Sequence, residues 1–254
     1  MNCITCGMHF ALRCFIIAGI NCLYSCKLVY NTVSHQATRL SIQTNVPDTG
    51  AISRLIQPYR DSVNSMMDIP LAQTPKPLTK EKGGGSLGNF FSDAMLQTAR
   101  ERDPRVTLFI TNAGGLRVNR WPEGQIMVRN GYELMPFDNA LVILDVPGSI
   151  FNQWIQQMAK QGGWPIAGAF IKADTLNKLS YIAHSADGPF QAIDLQKNYR
   201  IATSDFIAKG GDRCDFLIPL PMQNEGILLR EALLTYLKKN PRIEPNFQTR
   251  FIIQ

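Results

Sequence analysis

Ala202-Thr203-Ser204-Asp205-Phe206-Ile207-Ala208-Lys209-Gly210-Gly211-Asp212 reads as a strand that ends in a loop shaped for a ligand. Tyr199–Thr203 is strand-like, Phe206 is an aromatic just past the strand end, and Asp212 is a carboxylate behind paired glycines. A second turn, Asn112-Ala113-Gly114-Gly115-Leu116-Arg117, follows the apolar strand predicted over Val106–Thr111. Glycines in such turns allow positive φ and let the backbone approach a bound group. Arg117 brings a fork of donors suited to phosphate or carboxylate, and Asn112 can both donate and accept. A third segment, Met135-Pro136-Phe137-Asp138-Asn139, places another aromatic just before the apolar strand Ala140–Val146. Two readings of Phe137 and Phe206 stay open at this level. They pack in the core, or they face each other as a slot for a flat ring, where stacking contributes about 1–3 kcal/mol per base. Ordinary strand-to-loop turns account for the glycines equally well.

Around these turns, helices and strands interleave. Apolar or aromatic residues at Ile52, Leu55, Ile56, Tyr59 and Val63 have helical spacing, with Asp48 or Thr49 as the expected cap. Residues 68–80 run extended through three prolines. Helices are predicted over 87–101, over a segment capped by Ser149 with Ile150, Trp154, Ile155 and Met158 on its apolar face, and over Gly226–Leu237. Strands are predicted near Phe170–Lys172, Lys178–Ile182 and Thr249–Ile253. No Ser/Gly-rich break follows residue 86, so one mixed α/β domain over 48–254 is expected rather than two. Of the 254 residues 45% are hydrophobic and 18% charged, which excludes a wholly disordered chain. The net charge of +6 suits anionic partners such as nucleotides, nucleic acid or lipid headgroups, but on this length it is a weak signal, and no nucleic-acid partner is expected.

Four segments in order carry a resemblance: Leu87-Gly88-Asn89…Asp93-Ala94-Met95, the Asn112–Arg117 turn, Tyr132–Asn139 and Ala202–Asp212. Together they resemble the C-terminal domain of the 5′-nucleotidase/UDP-sugar hydrolase family, over about residues 50–240. The resemblance implies a four-layer α-β-β-α sandwich that binds a nucleotide or nucleoside. It implies that Phe137 and Phe206 stack on the base, that Asn112 contacts the base or its surroundings, and that Gly115 lets the ligand approach. Arg117 would hold phosphate and Asp212 would accept from ribose hydroxyls.

Two departures bear on activity. Full-length family members carry a metallophosphatase domain with a dinuclear metal centre ahead of this one. The only histidines here are His9, His35 and His184, and no Asp-x-His, Gly-Asn-His-Glu or Gly-His-x-His occurs. Two-metal phosphatases need several such ligands. No cofactor is therefore expected in this chain, and divalent metals are expected only in a separate metallophosphatase partner. The chain is then the recognition part of a split phosphohydrolase, or a lipid-anchored nucleotide-binding or degenerate module with no catalytic role. The second departure is Gly83-Gly84-Gly85 where the family places an arginine; Lys80 and Lys82 are the nearby cations that could replace it.

Five of the six cysteines lie in the first 26 residues. A disulfide-stapled domain would spread them, and a zinc site would need a second ligand pair. Arg13 is followed by an apolar run and then Leu23-Tyr24-Ser25-Cys26, which resembles a bacterial lipobox. The expectation is a lipoprotein signal peptide over 1–25, lipid on Cys26, a tether over 26–47, and a place in the bacterial cell envelope.

Overall fold

The computed structural model describes residues 50–254, which form one compact unit. The signal, the tether and Cys26 lie outside the described residues, as do Asp48 and Thr49; Gly50 occupies the N-cap of the first helix. That helix, α1, is Ala51–Met67. It is followed by β1 (Pro70–Thr74), β2 (Leu78–Thr79), α2 (Gly85–Arg102), β3 (Leu108–Ile110), β4 (Arg120–Trp121), β5 (Gly124–Met127) and α3 (Val128–Leu134). Next come β6 (Ala140–Pro147), α4 (Gly148–Lys160), β7 (Ile166–Ala167), β8 (Phe170–Asp174), β9 (Leu179–Ala183) and β10 (Gln191–Ala192). The chain closes with β11 (Asn198–Ser204), α5 (Asp205–Ala208), β12 (Met222–Leu228), α6 (Leu229–Lys239) and β13 (Phe251–Ile253). Among the described residues no helix is long and apolar enough to cross a membrane.

A five-stranded sheet in the order β12-β6-β11-β3-β7 organises the domain, and a second sheet runs β10-β9-β8-β13. Strand β11 pairs parallel with β3 and antiparallel with β6. The apolar run Ala140–Leu144 of β6 follows from burial on both faces. Leu141 and Ile143 join a core with α2 and α6, while Val142, Leu144 and Val146 join a second core with α4 and the other sheet. The mixed α/β sandwich expected from the resemblance is present. Helix α4 is not a plain outer layer, however, because it packs against strands of both sheets: Phe151, Trp154, Ile155 and Met158 share one core with Val142 of the first sheet and Ile171 of the second.

Several element boundaries differ from the sequence reading. Pro147, not Ser149, is the N-cap of α4, because β6 runs straight into it. Gly226–Leu228 belongs to edge strand β12, so α6 begins at Leu229. That strand, Met-Gln-Asn-Glu-Gly-Ile-Leu, is polar because it lies at a sheet edge, and its composition hid it. Gly83-Gly84-Gly85 forms the sharp entry to α2, with φ of 77°, 127° and 65°, conformations that side chains rarely adopt. A Cβ at Gly85 would sit 2.5 Å from the Thr79 carbonyl oxygen, so the turn itself requires these glycines.

At the end of β11 remote from the turn loops, Arg200 donates from Nε to Asp103 (2.6 Å), from Nη1 to Asp145 (2.6 Å) and from Nη2 to Gln223 (2.6 Å). Arg105 adds two further bonds to Asp103, at 2.9 and 2.8 Å. The Arg105 fork, with Arg200 behind it, holds the Asp103 carboxyl far below the usual carboxylate range. A carboxyl depressed in the folded state stabilises the fold above its unfolded value of about 4, and the contribution is lost as pH falls below that. Urea unfolding between about pH 2.5 and 7 should show wild-type stability falling below about pH 4, with a shallower fall in Asp103→Asn, which starts less stable at neutral pH. Equal slopes would remove Asp103 from the acid response.

Candidate functional site

The six residues singled out in the sequence, Asn112, Gly115, Arg117, Phe137, Phe206 and Asp212, all line one cavity of about 330 Å³. Gly114 and Asn139 complete its wall. Asn139 belongs to the Met135–Asn139 segment that the sequence reading singled out, but no role pointed to it there.

Each wall is fixed by its own element. Ser204 Oγ accepts from the Ile207 backbone N–H at 3.3 Å, capping the short helix α5 at the end of β11. Asp205 Oδ1 accepts from the Ala140 backbone N–H at 2.9 Å, which ties α5 to the start of β6. Phe206 is thereby presented at the surface, 44% exposed. Behind it lies Gly211: a Cβ there would fall 2.4 Å from Phe206 Cε1, so a glycine is what lets the ring sit where it does. Phe137, which also lines the cavity, packs partly against the core containing α2 and α6. The Arg117 guanidinium carbon lies 4.7 Å from the Phe137 ring centroid, a cation–π stack at the cavity wall.

Asn112 is buried, and its amide donates to Asp212 Oδ2 at 2.6 Å across one hundred residues of sequence. Its NH₂ is thus engaged in orienting Asp212. Gly115 is close for the same reason, since a Cβ there would lie 2.8 Å from Asn112 Oδ1. Asp212 has φ 53° and ψ 36°, a left-handed conformation that aspartate tolerates better than most residues. Its carbonyl oxygen accepts from Gln157 Nε2 (3.2 Å) and Gln161 Nε2 (2.9 Å), so α4 holds the loop from behind. Sequence reasoning missed these two glutamines, which carry no motif and are found only through the packing of α4.

Neither Lys80 nor Lys82 is among the cavity's lining residues; Lys80 Nζ donates to the Leu116 carbonyl at 2.7 Å, bracing the chain next to Arg117. Burial pushes the Cys214 thiol up to about 12, which keeps it protonated and unreactive. The residues present do not fit a dinuclear metal centre. Among the described residues no group of three or more His, Cys, Asp or Glu could hold a metal ion, and His184 is exposed on its loop. Trp121, Trp154 and Trp164 are all core residues.

A cavity walled by two aromatics, an arginine and a braced aspartate, set on loops at the strand ends of an α/β sandwich, marks a small-molecule recognition domain. The family can be stated outright. Residues 70–218 match the 5′-nucleotidase C-terminal domain, and the chain belongs to that family. Among curated relatives, the trifunctional nucleotide phosphoesterase protein YfkN of Bacillus subtilis is 31% identical over 138 residues, covering 50% of this chain and 9% of its own length. The protein named "Probable 5'-nucleotidase" of Treponema pallidum is 27% identical over 164 residues, covering 58% of this chain and 26% of its own. The crystal structure of a 5′-nucleotidase precursor from Thermus thermophilus superposes with a TM-score of 0.69 at 24% identity, over 79% of this chain and 42% of that one. The chain thus spans well under half the length of these relatives.

Proposed function

We propose that this cavity binds a nucleotide or nucleoside, and that the chain is the recognition part of a 5′-nucleotidase-like phosphohydrolase system. The base stacks between Phe137 and Phe206, the ribose hydroxyls donate to Asp212, and phosphate meets Arg117. Asn112 keeps Asp212 aimed at the sugar. The observation that supports this most is the convergence of six residues, spread over a hundred positions, on one cavity. On this reading, divalent metals and the attacking water come from a separate metallophosphatase chain. Lipid on Cys26 would hold the protein in the bacterial cell envelope, with no part played by nucleic acid.

A second reading is a binding protein, or a degenerate module, with no catalytic partner. The Gly83–Gly85 turn supports it: the cavity lining then includes one cation, Arg117, which favours a nucleoside or a weakly held phosphate. One experiment separates the two. The full chain is mixed with a family metallophosphatase chain and divalent metal, and phosphate release from AMP is followed. A rate well above that of the partner alone supports the split enzyme. Calorimetric binding of adenosine or AMP with no such stimulation supports the binding protein; neither binding nor stimulation removes the nucleotide-recognition reading and leaves the degenerate module.

A further inference from the structure

Phe137 sits on a loop, and loops hold their geometry only when something else fixes them. Here the fixing comes from Arg230, the second residue of α6. Its Nη1 donates to the carbonyl oxygens of Met135 and Phe137, each at 3.3 Å, and its Nη2 donates to Asp138 Oδ1 at 2.6 Å. The guanidinium carbon lies 4.6 Å from the Tyr132 ring centroid, so the aromatic acts as a platform beneath it. One residue earlier, the Leu229 backbone N–H donates to the Asn139 carbonyl at 2.8 Å. The start of α6 therefore grips the loop at Met135, Phe137, Asp138 and Asn139. The Arg230 side chain is 12% exposed and is not among the lining residues of the cavity.

We propose that Arg230 is a positioning residue for base recognition: it sets the Phe137 wall of the aromatic slot without touching the ligand. The proposal rests on the reading of that cavity as a base-binding site. A planar guanidinium reaches two carbonyls and a carboxylate at once while stacking on a ring; a lysine ammonium has neither the fork nor the flat face. When the grip is released, the loop samples conformations in which the slot is open. The apparent affinity then falls by the fraction of molecules in the competent one. Ligands that use the slot lose the most affinity.

The test compares AMP with ribose 5-phosphate, which lacks the base, by calorimetry on the full chain well below its unfolding temperature. Arg230→Ala and Arg230→Lys should each weaken AMP about tenfold and ribose 5-phosphate by no more than about threefold, the smaller loss coming through the Arg117 guanidinium that stacks on Phe137. Asp138→Ala guards against a fold that fails, because that side chain is 76% exposed; it should weaken AMP about threefold. Equal loss for both ligands, or rescue by lysine, overturns the proposal. So does AMP binding within about twofold of wild type in Arg230→Ala while Phe206→Ala weakens it at least about fivefold, an outcome that leaves the cavity reading intact. No AMP binding by the wild type removes the cavity reading, and the proposal with it.

Discussion

Phe206→Ala is expected to weaken adenosine and AMP binding by about 5- to 150-fold, the range that corresponds to the loss of about 1–3 kcal/mol of base stacking. The substitution is a clean probe because the ring is 44% exposed and lies outside both hydrophobic cores. Removing it leaves no interior cavity, so the unfolding temperature should stay within about a degree or two of wild type. Phe137→Ala is the less clean partner. Phe137 packs against the core and carries the Arg117 stack, so its loss shifts the phosphate contact as well as the base wall. The two variants therefore need not match, and Phe137→Ala should lose more for AMP than for adenosine. Calorimetry on both variants with both ligands reads this directly. An intact Phe206→Ala protein that binds within about twofold of wild type would refute the stacking role.

How much of this was legible beforehand depends on the kind of residue. Motif residues at strand ends were readable because strand, glycine turn and functional side chain are contiguous: Phe206 and Asp212 sit within eleven residues of Ala202. What holds them was not. Gln157 and Gln161 look like ordinary polar positions on a helix, yet both donate to the Asp212 carbonyl, from α4 and its C-cap. Arg230 looks like an exposed charge at a helix start, yet it reaches back more than ninety residues to the Phe137 loop. Periodicity describes which face of a helix is apolar; it is silent on which loop the polar face meets. Edge strand β12 was missed for a related reason, since an edge needs no alternation when only part of it is covered. The triple glycine read as a lost phosphate contact; the structure supplies a local cause in the turn it makes.

The Asn89–Asp93 pair shows the opposite case, a motif whose visible polar residues serve the fold. One helical turn apart on α2, both face the C-terminal segment. Asn89 Nδ2 donates to the carbonyls of Asn246 (3.1 Å) and Gln248 (2.8 Å). Asp93 accepts from both terminal nitrogens of Arg250, at 2.6 and 2.8 Å, and Arg250 Nη1 also donates to the Ile166 carbonyl at 3.1 Å. The Arg250 side chain is 8% exposed, while that of Asp93 is 42% exposed. Asp93→Ala strands a buried guanidinium with one carbonyl partner. A fully buried pair broken this way costs about 3–5 kcal/mol, and the solvent reaching Asp93 brings the expectation to about 2–3 kcal/mol. At about 2–4 °C per kcal/mol for a domain of this size, the unfolding temperature should fall by about 5–10 °C. Arg250→Leu combined with Asp93→Leu removes both partners and lets apolar side chains fill the space, so the double variant should recover most of that loss. β13 should follow the pair, because it docks on β8 immediately after Arg250. Hydrogen exchange at Phe251–Ile253 should therefore speed up in Asp93→Ala and return toward wild type in the double variant. Additive losses in the double variant would mean that Arg250 stabilises the segment through contacts other than this carboxylate.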